Sequence, residues 1–300
     1  MALHYDYFTS HDHLSIRWGR AEAASSARGT VVFLNGRTEY MDKYAEVVDE
    51  LNQRGLEVYC CDWRGQGLSE RMLADSQKGH VERFEDYLKD LDQLMTIVEN
   101  QGAPSPLTLL GHSMGGHIAV RYIERCPTVF SRVVLTSPMI DIQVPKYLPR
   151  QFLVWLVKTA VRSGLQGAYV FGSGGFNARD REFEGNPLTS DRWRFERNLS
   201  MIAKDPRLAV GGVTYGWLAA ALRSIRYVTS ASFASNLRLP LLLVSAEEDK
   251  IVCPRAQDRF CRQVPDCRMV RVEGARHELL VETDHRRAIF WQAFDRFLAT

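Results

Sequence analysis

The sequence lacks the features that would place it among membrane-spanning, secreted or nucleic-acid-binding proteins. Its longest apolar stretch, at 151–161, is interrupted by Lys158 and is too short to cross a bilayer. The first residues show no basic segment followed by an apolar one, so we expect no cleaved signal. A net charge of +2 and the lack of a long Lys/Arg block argue against a nucleic acid partner or an electrostatic membrane anchor. The composition, 45% hydrophobic and 25% charged, is ordinary for a globular protein.

The six cysteines lack the spacing of a disulfide framework or a zinc site. No Cys-x-x-Cys pair is present, and the adjacent Cys60 and Cys61 would point to opposite faces of a strand. We therefore expect free thiols in a reducing compartment, and a cytoplasmic location.

His11 and His13 share a polar turn without a carboxylate or cysteine cluster at ligand spacing, so we expect a solvated turn and no metal.

Hydrophobic patterns alternate between strand and helix along most of the chain. Strand patterns lie at 5–9, 14–18, 29–34, 56–61, 107–110, 130–136, 239–245 and 267–272. Helical stripes lie at 41–51, 84–98, 116–123, 254–264 and 284–298. Because strands that alternate with helices build a parallel sheet covered on both faces, the pattern predicts an α/β fold with a mostly parallel central sheet.

This alternation breaks between about residues 140 and 235. The stretch has helical patterns at 147–162, 191–204 and 212–227 and a Gly-rich loop at 172–175, but no convincing strand. We therefore expect an α/β core formed by residues 1–139 and 236–300, with a helical cap inserted at 140–235.

The most informative stretch of the chain is Gly-His-Ser-Met-Gly at 111–115. It follows a short apolar strand pattern and leads directly into a helical one, which is the context of a nucleophile elbow. The turn would place Ser113 in a strained conformation with its hydroxyl exposed at the edge of the sheet. Gly111 and Gly115 would remove the side chains that otherwise clash as strand and helix approach each other.

A serine nucleophile needs a base within hydrogen-bond reach and an acid that orients that base. In this type of sheet, both partners lie in loops after later strands, in the order serine, acid, histidine. His277 is the only histidine in a loop after a strand downstream of the cap. Asp249 is the preferred acid because Ile251 and Val252 can anchor its loop. Glu247 and Glu248 are competitors for the acid.

The oxyanion hole is expected to use the Met114 amide and an amide from the loop after the third strand. That loop reads Asn-Gly-Arg-Thr at 35–38, and we place the N–H of Arg37 in the hole. Gly36 lets the backbone approach the substrate closely. No metal or redox cofactor is required by this chemistry.

Several motifs together resemble serine α/β-hydrolases of the lysophospholipase L2 and monoacylglycerol lipase group, also classed with serine aminopeptidase-type hydrolases. The motifs are Asn-Gly-Arg-Thr-Glu-Tyr at 35–40, Asp-Trp-Arg-Gly-Gln-Gly-Leu-Ser at 62–69, the elbow, Asn-Pro-Leu-Thr-Ser-Asp at 186–191, Gly-Gly-Val-Thr-Tyr-Gly-Trp at 211–217 and Ala-Arg-His-Glu at 275–278. The resemblance implies a triad of Ser113, Asp249 and His277, an oxyanion hole at Arg37 and Met114, and hydrolysis of esters of lipids with one acyl chain. Many monoacylglycerol lipases have His-Gly where this chain has Asn-Gly at 35–36, which favours the lysophospholipase-like branch.

The substrate-binding residues are expected to include Gly36 and two cap residues, Trp155 and Trp217. The cap would form an apolar acyl channel from residues such as Phe152, Trp155, Leu156, Trp217 and Leu218, although the same residues could simply pack the cap. An exposed apolar cap could also touch the inner face of a membrane transiently. The alternatives are a small-ester esterase, an amidase or peptidase, an acyltransferase, and a non-catalytic binding protein. The sequence indicates no oligomeric state.

Overall fold

The structure, a computed structural model, describes residues 3–23, 26–144, 148–178 and 182–299. Eight strands form one sheet in the order β1-β2-β4-β3-β5-β6-β7-β8. They are β1 (His4–Thr9), β2 (Ser15–Ala21), β3 (Thr30–Leu34), β4 (Glu57–Cys61), β5 (Leu107–His112), β6 (Arg132–Thr136), β7 (Leu241–Ala246) and β8 (Cys267–Val272). The pairs from β4 to β8 are parallel, whereas β1 and β2 pair antiparallel at one edge. The predicted mostly parallel sheet is confirmed.

Helices cover both faces of this sheet. They are α1 (Ala45–Gln53), α2 (Phe84–Asn100), α3 (Met114–Arg125), α4 (Arg150–Arg162), α5 (Arg192–Lys204), α6 (Tyr215–Val228), α7 (Ala231–Asn236), α8 (Pro254–Gln263) and α9 (Asp284–Leu298). Alternate strand residues point to opposite faces. Val31 and Phe33 pack with α1 and α9, whereas Val32 and Leu34 pack with α2, α3 and α8. The central strands are therefore buried on both sides, which explains their continuous apolar runs.

The predicted helical insertion between β6 and β7 contains α4 to α7. Helix α4 packs against α6 through a small apolar core of Leu153, Val157, Leu218, Ala219 and Leu222. Helix α7 was not predicted, and it directs Phe233 into the core beside the sheet. The predicted start of the first cap helix, Tyr147, lies outside the described residues. Among the described residues, no helix is both long and apolar enough to cross a membrane.

The cysteine prediction is wrong for one pair. Cys261, near the end of α8, and Cys267, at the start of β8, form a disulfide with their Cα atoms 5.4 Å apart. The short turn between helix and strand brings the two residues together, and a separation of six positions carries no recognisable spacing signal. Four cysteines are free thiols: Cys60, Cys61, Cys126 and Cys253.

The carboxyl ends of the parallel strands meet at one edge of the sheet, where ligands bind in open α/β sheets. The loops after β3, β5, β7 and β8 all lie at this edge because the strands run in one direction. These loops carry every residue predicted for the reaction.

Candidate active site

Ser113 lies between the end of β5 and the start of α3, in a backbone conformation that non-glycine residues rarely adopt. Its φ is +53° and its ψ is −115°. A side chain at Gly115 would overlap the carbonyl oxygens of Leu34 and Asn35, and a Cβ at Gly111 would lie 2.7 Å from the Cα of Gly116. The two glycines therefore allow strand, turn and helix to close around the serine.

His277 follows β8 and faces the serine. Its Nε2 lies 2.9 Å from the Ser113 Oγ. The cap holds the histidine loop through two backbone hydrogen bonds: the His277 N–H donates to the Pro187 carbonyl at 3.3 Å, and the Glu278 N–H donates to the Leu188 carbonyl at 2.8 Å. The structure thus gives the Asn-Pro-Leu motif of the cap a direct part in placing the imidazole.

Asp249, in the loop after β7, faces the other side of the imidazole. Its Oδ2 lies 2.7 Å from the Nδ1 of His277, and its Oδ1 accepts hydrogen bonds from the amides of Ile251 and Val252 at 2.8 and 2.9 Å. Glu247 and Glu248 are exposed at the same loop. Of the three acids considered, the structure turns Asp249 toward the histidine.

The electrostatics of this pair favour a basic histidine beside an ionised carboxylate. Burial lowers the pKa of His277, but the Asp249 carboxylate outweighs burial and raises this pKa above its ordinary value of 6.5. Burial raises the pKa of Asp249, yet His277 and the Val252 and Ile251 amides hold it below its ordinary value. Asp249 therefore stays ionised at neutral pH and stabilises an imidazolium.

The loop after β3 lies beside the nucleophile, where an oxyanion hole is expected. A Cβ at Gly36 would be 3.1 Å from the Cβ of Ser113, so the backbone of this loop passes close to the serine. Met114 is the first residue of α3, and its N–H belongs to the first turn, whose amides have no partner within the helix. The Arg37 guanidinium is directed toward the cap, where it donates to the Gly211 carbonyl at 3.1 Å.

Comparison with known proteins places the chain in a family. A family model described as serine aminopeptidase, S33, matches residues 25–284. The chain belongs to this family. It is 36% identical to lysophospholipase L2 of Escherichia coli over 299 residues, which cover 97% of this chain and 86% of that protein. It is 29% identical to the probable lysophospholipase L2 of Haemophilus influenzae over 274 residues, 91% of this chain and 85% of that protein.

A solved structure of a soluble variant of monoglyceride lipase from Saccharomyces cerevisiae, in complex with a substrate analog, shares the fold. The two structures superpose with a TM-score of 0.76 at 18% sequence identity, over 100% of this chain and 96% of the other. The α/β-hydrolase fold and the hydrolase class that the sequence predicts are confirmed.

In this member of the serine aminopeptidase family, side chains from after β4 hold the loop that carries Gly36. The indole N–H of Trp63 donates to the Asn35 carbonyl at 2.9 Å, and the Gln66 amide donates to the Gly36 carbonyl at 2.7 Å. The Gly36 N–H donates to Glu39 Oε2. No role was predicted for Trp63, Gln66 or Glu39, although all three lie in the motifs that carry the family resemblance.

Glu39 is also one end of a buried charged network beside the histidine. Its Oε1 accepts hydrogen bonds from the Lys43 ammonium at 2.9 Å and from the Tyr44 hydroxyl at 2.7 Å. The Lys43 Nζ also donates to Glu278 Oε1 at 2.7 Å, and all three charged residues are buried. This network joins the loop beside Ser113 to the residue that follows His277.

The charge states of this network follow from burial and pairing. Burial raises the pKa of Glu39, but Lys43, together with His112 and Tyr44, lowers this pKa below its ordinary value. Burial raises the pKa of Glu278 and prevails over Lys43. Burial lowers the pKa of His112 to about 4, so this ring, 5.1 Å from that of His277, is neutral. Because buried ion pairs add little to stability, the network is better explained by positioning than by folding.

The two predicted cap tryptophans have different surroundings. Trp155, on α4, is 58% exposed and its ring lies 5.6 Å from that of Phe152. Trp217, on α6, is buried with its ring 5.8 Å from that of Phe84, and its indole N–H donates to the Tyr87 hydroxyl at 3.3 Å. The Arg37 guanidinium also lies over the Trp217 ring, 5.6 Å from its centre. A role in substrate binding stays a prediction for both tryptophans.

The described residues contain no group of three or more His, Cys, Asp and Glu side chains that could hold a metal ion. His11, in the first hairpin turn, contacts an arginine and an aspartate. The His11 ring lies 3.5 Å from the Arg64 guanidinium and 3.5 Å from Asp86.

Proposed function

We propose that this chain hydrolyses the carboxylic ester of monoacyl lipids through an acyl-enzyme intermediate. The observation that carries the proposal is the continuous hydrogen-bond chain from the Ser113 Oγ through His277 to Asp249. The three residues are only 7%, 4% and 5% exposed, so the proton passes through a site from which most bulk water is excluded.

In this mechanism the Ser113 Oγ attacks the ester carbonyl carbon while His277 Nε2 takes the hydroxyl proton. Asp249 keeps the Nδ1–H tautomer and stabilises the imidazolium. The amides of Met114 and Arg37 would donate to the oxyanion of the tetrahedral intermediate. His277 then gives its proton to the leaving alcohol, and a water molecule, activated by the same histidine, releases the fatty acid.

The substrate class is supported by two relatives that cover 97% and 91% of this chain and are named lysophospholipase L2 and probable lysophospholipase L2. Asn35 in place of the histidine of many monoacylglycerol lipases supports the same branch. The insertion at 140–235 acts as the cap in this proposal, over a core of residues 1–139 and 236–300. The cap would provide the acyl channel and hold the histidine loop.

A transient contact of the cap with the inner face of a membrane is part of the proposal. We place the protein in the cytoplasm because four of its six cysteines are free thiols, although Cys261 and Cys267 form a disulfide. The support for the membrane contact is a group of exposed apolar side chains on the cap. Phe152 and Trp155 are 49% and 58% exposed on one face of α4, and Phe171 is 93% exposed. Co-sedimentation with phospholipid vesicles that is unchanged by Phe152→Ser and Trp155→Ser together would remove this part of the proposal.

The substrate experiment measures fatty-acid release from lysophosphatidylcholine, lysophosphatidylethanolamine, monoacylglycerol and a short p-nitrophenyl ester. We expect release from a long-chain monoacyl lipid. Activity confined to the short ester would contradict the lipid substrate. Hydrolysis of an amide substrate assayed beside these esters, without hydrolysis of any ester, would support an amidase or peptidase. Acyl transfer to an added alcohol in excess of fatty-acid release would support an acyltransferase, and no activity would favour a binding protein.

The pH dependence of kcat/KM reports the pKa of His277 in the free enzyme, because the base must be neutral to accept the serine proton. Asp249 raises this pKa above its ordinary value of 6.5. We therefore expect kcat/KM to fall as the pH decreases through a midpoint above 6.5. Initial rates measured across the pH range with a neutral, non-titrating ester check this, and a midpoint below 6.5 would contradict it.

Glu39 is expected to act as a positioning residue for the loop beside the serine. In Glu39→Gln, a neutral acceptor replaces the charged acceptor of the Gly36 N–H, which weakens that bond by about 1.4 kcal/mol. We expect kcat to fall about tenfold with little change in KM. The Glu39 charge raises the pKa of His277. In Glu39→Gln, the fall of kcat/KM on the acid side of its pH profile, here called the acid limb, should therefore move to lower pH.

The matched control is Glu50→Gln, which removes a carboxylate that pairs with Arg287 on α9. It should change kcat less than about twofold. A Glu39→Gln enzyme that loses stability but keeps its acid limb would indicate a structural role alone.

A further inference from the structure

A cavity lies between helices α4 and α6 of the cap, with α8 and the segment after β6 on its other sides. Its volume is about 630 Å³, within the range of small-molecule sites. None of the proposed triad, oxyanion or tryptophan residues lines it. The cavity is therefore a feature that the hydrolytic mechanism does not use.

One wall of this cavity is apolar. It is formed by Val154 and Val157 from α4 and by Ala219 and Leu222 from α6. Three of these side chains are buried, and Val154 is partly buried. Since an alkyl chain gains free energy when it leaves water for such a wall, the cavity can take an apolar segment.

The remainder of the cavity is strongly cationic. One carboxylate, Asp141, lines it together with five cationic side chains: Arg150, Lys158, Arg223, Arg226 and Arg259. The excess of four positive charges is larger than the net charge of +2 for the entire chain. A large part of the positive charge is thus concentrated at this one cavity, where it attracts an anion.

Most of these cations are not neutralised by the protein. Arg150 pairs with Asp141 at 2.7 Å, and the Arg223 guanidinium donates to the neutral carbonyl of Glu82 at 2.8 Å. Three others have no carboxylate within 4.0 Å in the part of the chain that the structure describes: Lys158, Arg226 and Arg259. These three side chains are available to a ligand.

We propose that this cavity binds an anionic amphiphile with a single alkyl chain. The chain would lie against the valine, alanine and leucine wall, and the anionic head would pair with the cations at the rim. A phosphate or a carboxylate fits, because Arg donates two parallel hydrogen bonds to either group. The head could thus come from a lysophospholipid or from a free fatty acid. The site concerns binding alone and does not depend on hydrolysis at Ser113.

The test uses the full-length Ser113→Ala chain and isothermal titration calorimetry below the critical micelle concentration. Four probes separate the parts of the ligand: dodecyl phosphate, laurate, inorganic phosphate and dodecyl maltoside. We expect one equivalent of dodecyl phosphate, of laurate, or of each to bind, and the result identifies the head group that the site accepts. The neutral maltoside and inorganic phosphate should bind about tenfold more weakly or not at all. Binding of the maltoside as tight as that of both anionic amphiphiles would overturn the proposal.

Charge reversal assigns the binding to this cavity. In the same background, Lys158→Glu with Arg226→Glu should weaken binding of the anionic amphiphile about tenfold or more. Arg296→Glu, an exposed reversal on α9, should change it less than about twofold. If the double variant does not fold, Arg259→Gln should weaken binding severalfold. Unchanged affinity in the folded cavity variant, or an equal loss in Arg296→Glu, would overturn the proposal. Hydrolysis assays in the chain that retains Ser113 test the proposed function separately.

Discussion

Replacing Ser113 by alanine is expected to lower kcat for a long-chain monoacyl ester by roughly 10⁵- to 10⁶-fold. The change removes the only atom that can form the acyl bond and leaves the histidine, the acid and the oxyanion amides in place. Activity above the uncatalysed rate would then come from substrate binding and the oxyanion hole alone. Fatty-acid release under single-turnover conditions measures the loss.

Ser137→Ala is the matched control for this substitution. Ser137 is also buried, follows β6 and has a positive φ of 42°. Its backbone N–H donates to the Val244 carbonyl at 2.9 Å. Its side chain has no part in the proposed reaction, so kcat should stay within about twofold. A comparable loss in both variants would show that the drop reflects the fold of this edge and not the nucleophile.

Two substitutions of Ser113 should affect activity and stability differently. The conformation of Ser113, with φ of +53°, costs roughly 1 to 3 kcal/mol for a residue with a side chain. Ser113→Gly should therefore be inactive, yet its free energy of unfolding should exceed that of Ser113→Ala by about 1 kcal/mol. Its denaturant midpoint should be correspondingly higher. Equal midpoints for the two variants would show that the elbow stores no strain.

The elbow at Ser113 and the sheet were predictable because local sequence determines both. The glycines at 111 and 115 lie where strand and helix approach most closely, and the apolar runs mark strands buried on two faces. Asp249 was preferred from the two apolar residues that follow it. In the structure the backbone amides of Ile251 and Val252 indeed hold its carboxylate.

The buried charges and the disulfide were not predictable because they depend on contacts between distant or unmarked positions. Glu278 accepts a hydrogen bond from Lys43, which lies 235 positions away in the sequence. From the sequence alone, an isolated charged residue is expected at the surface. Cys261 and Cys267 are joined by a turn whose geometry has no spacing signature. Motifs and strand ends therefore predict the residues proposed for the reaction, but not the polar side chains that hold them.

Asp249→Asn is expected to lower kcat/KM by roughly 10³- to 10⁴-fold. The asparagine can still accept the amides of Ile251 and Val252 through Oδ1, so the loop should keep its shape. Its NH₂ group would then face Nδ1 of His277 as a donor and favour the tautomer that cannot accept the serine proton at Nε2.

The neighbouring acid supplies the comparison. Glu248 is exposed, and Glu248→Gln should leave kcat/KM within about twofold. The acid limb adds a second readout: because the Asp249 carboxylate raises the pKa of His277, its loss should move that limb to lower pH, whereas Glu248→Gln should leave it in place. A negligible loss in Asp249→Asn together with a large loss in Glu248→Gln would show that Glu248, and not Asp249, is the acid that orients His277. A loss in Asp249→Asn with the limb unmoved would mean that Asp249 supports the loop without acting on the histidine.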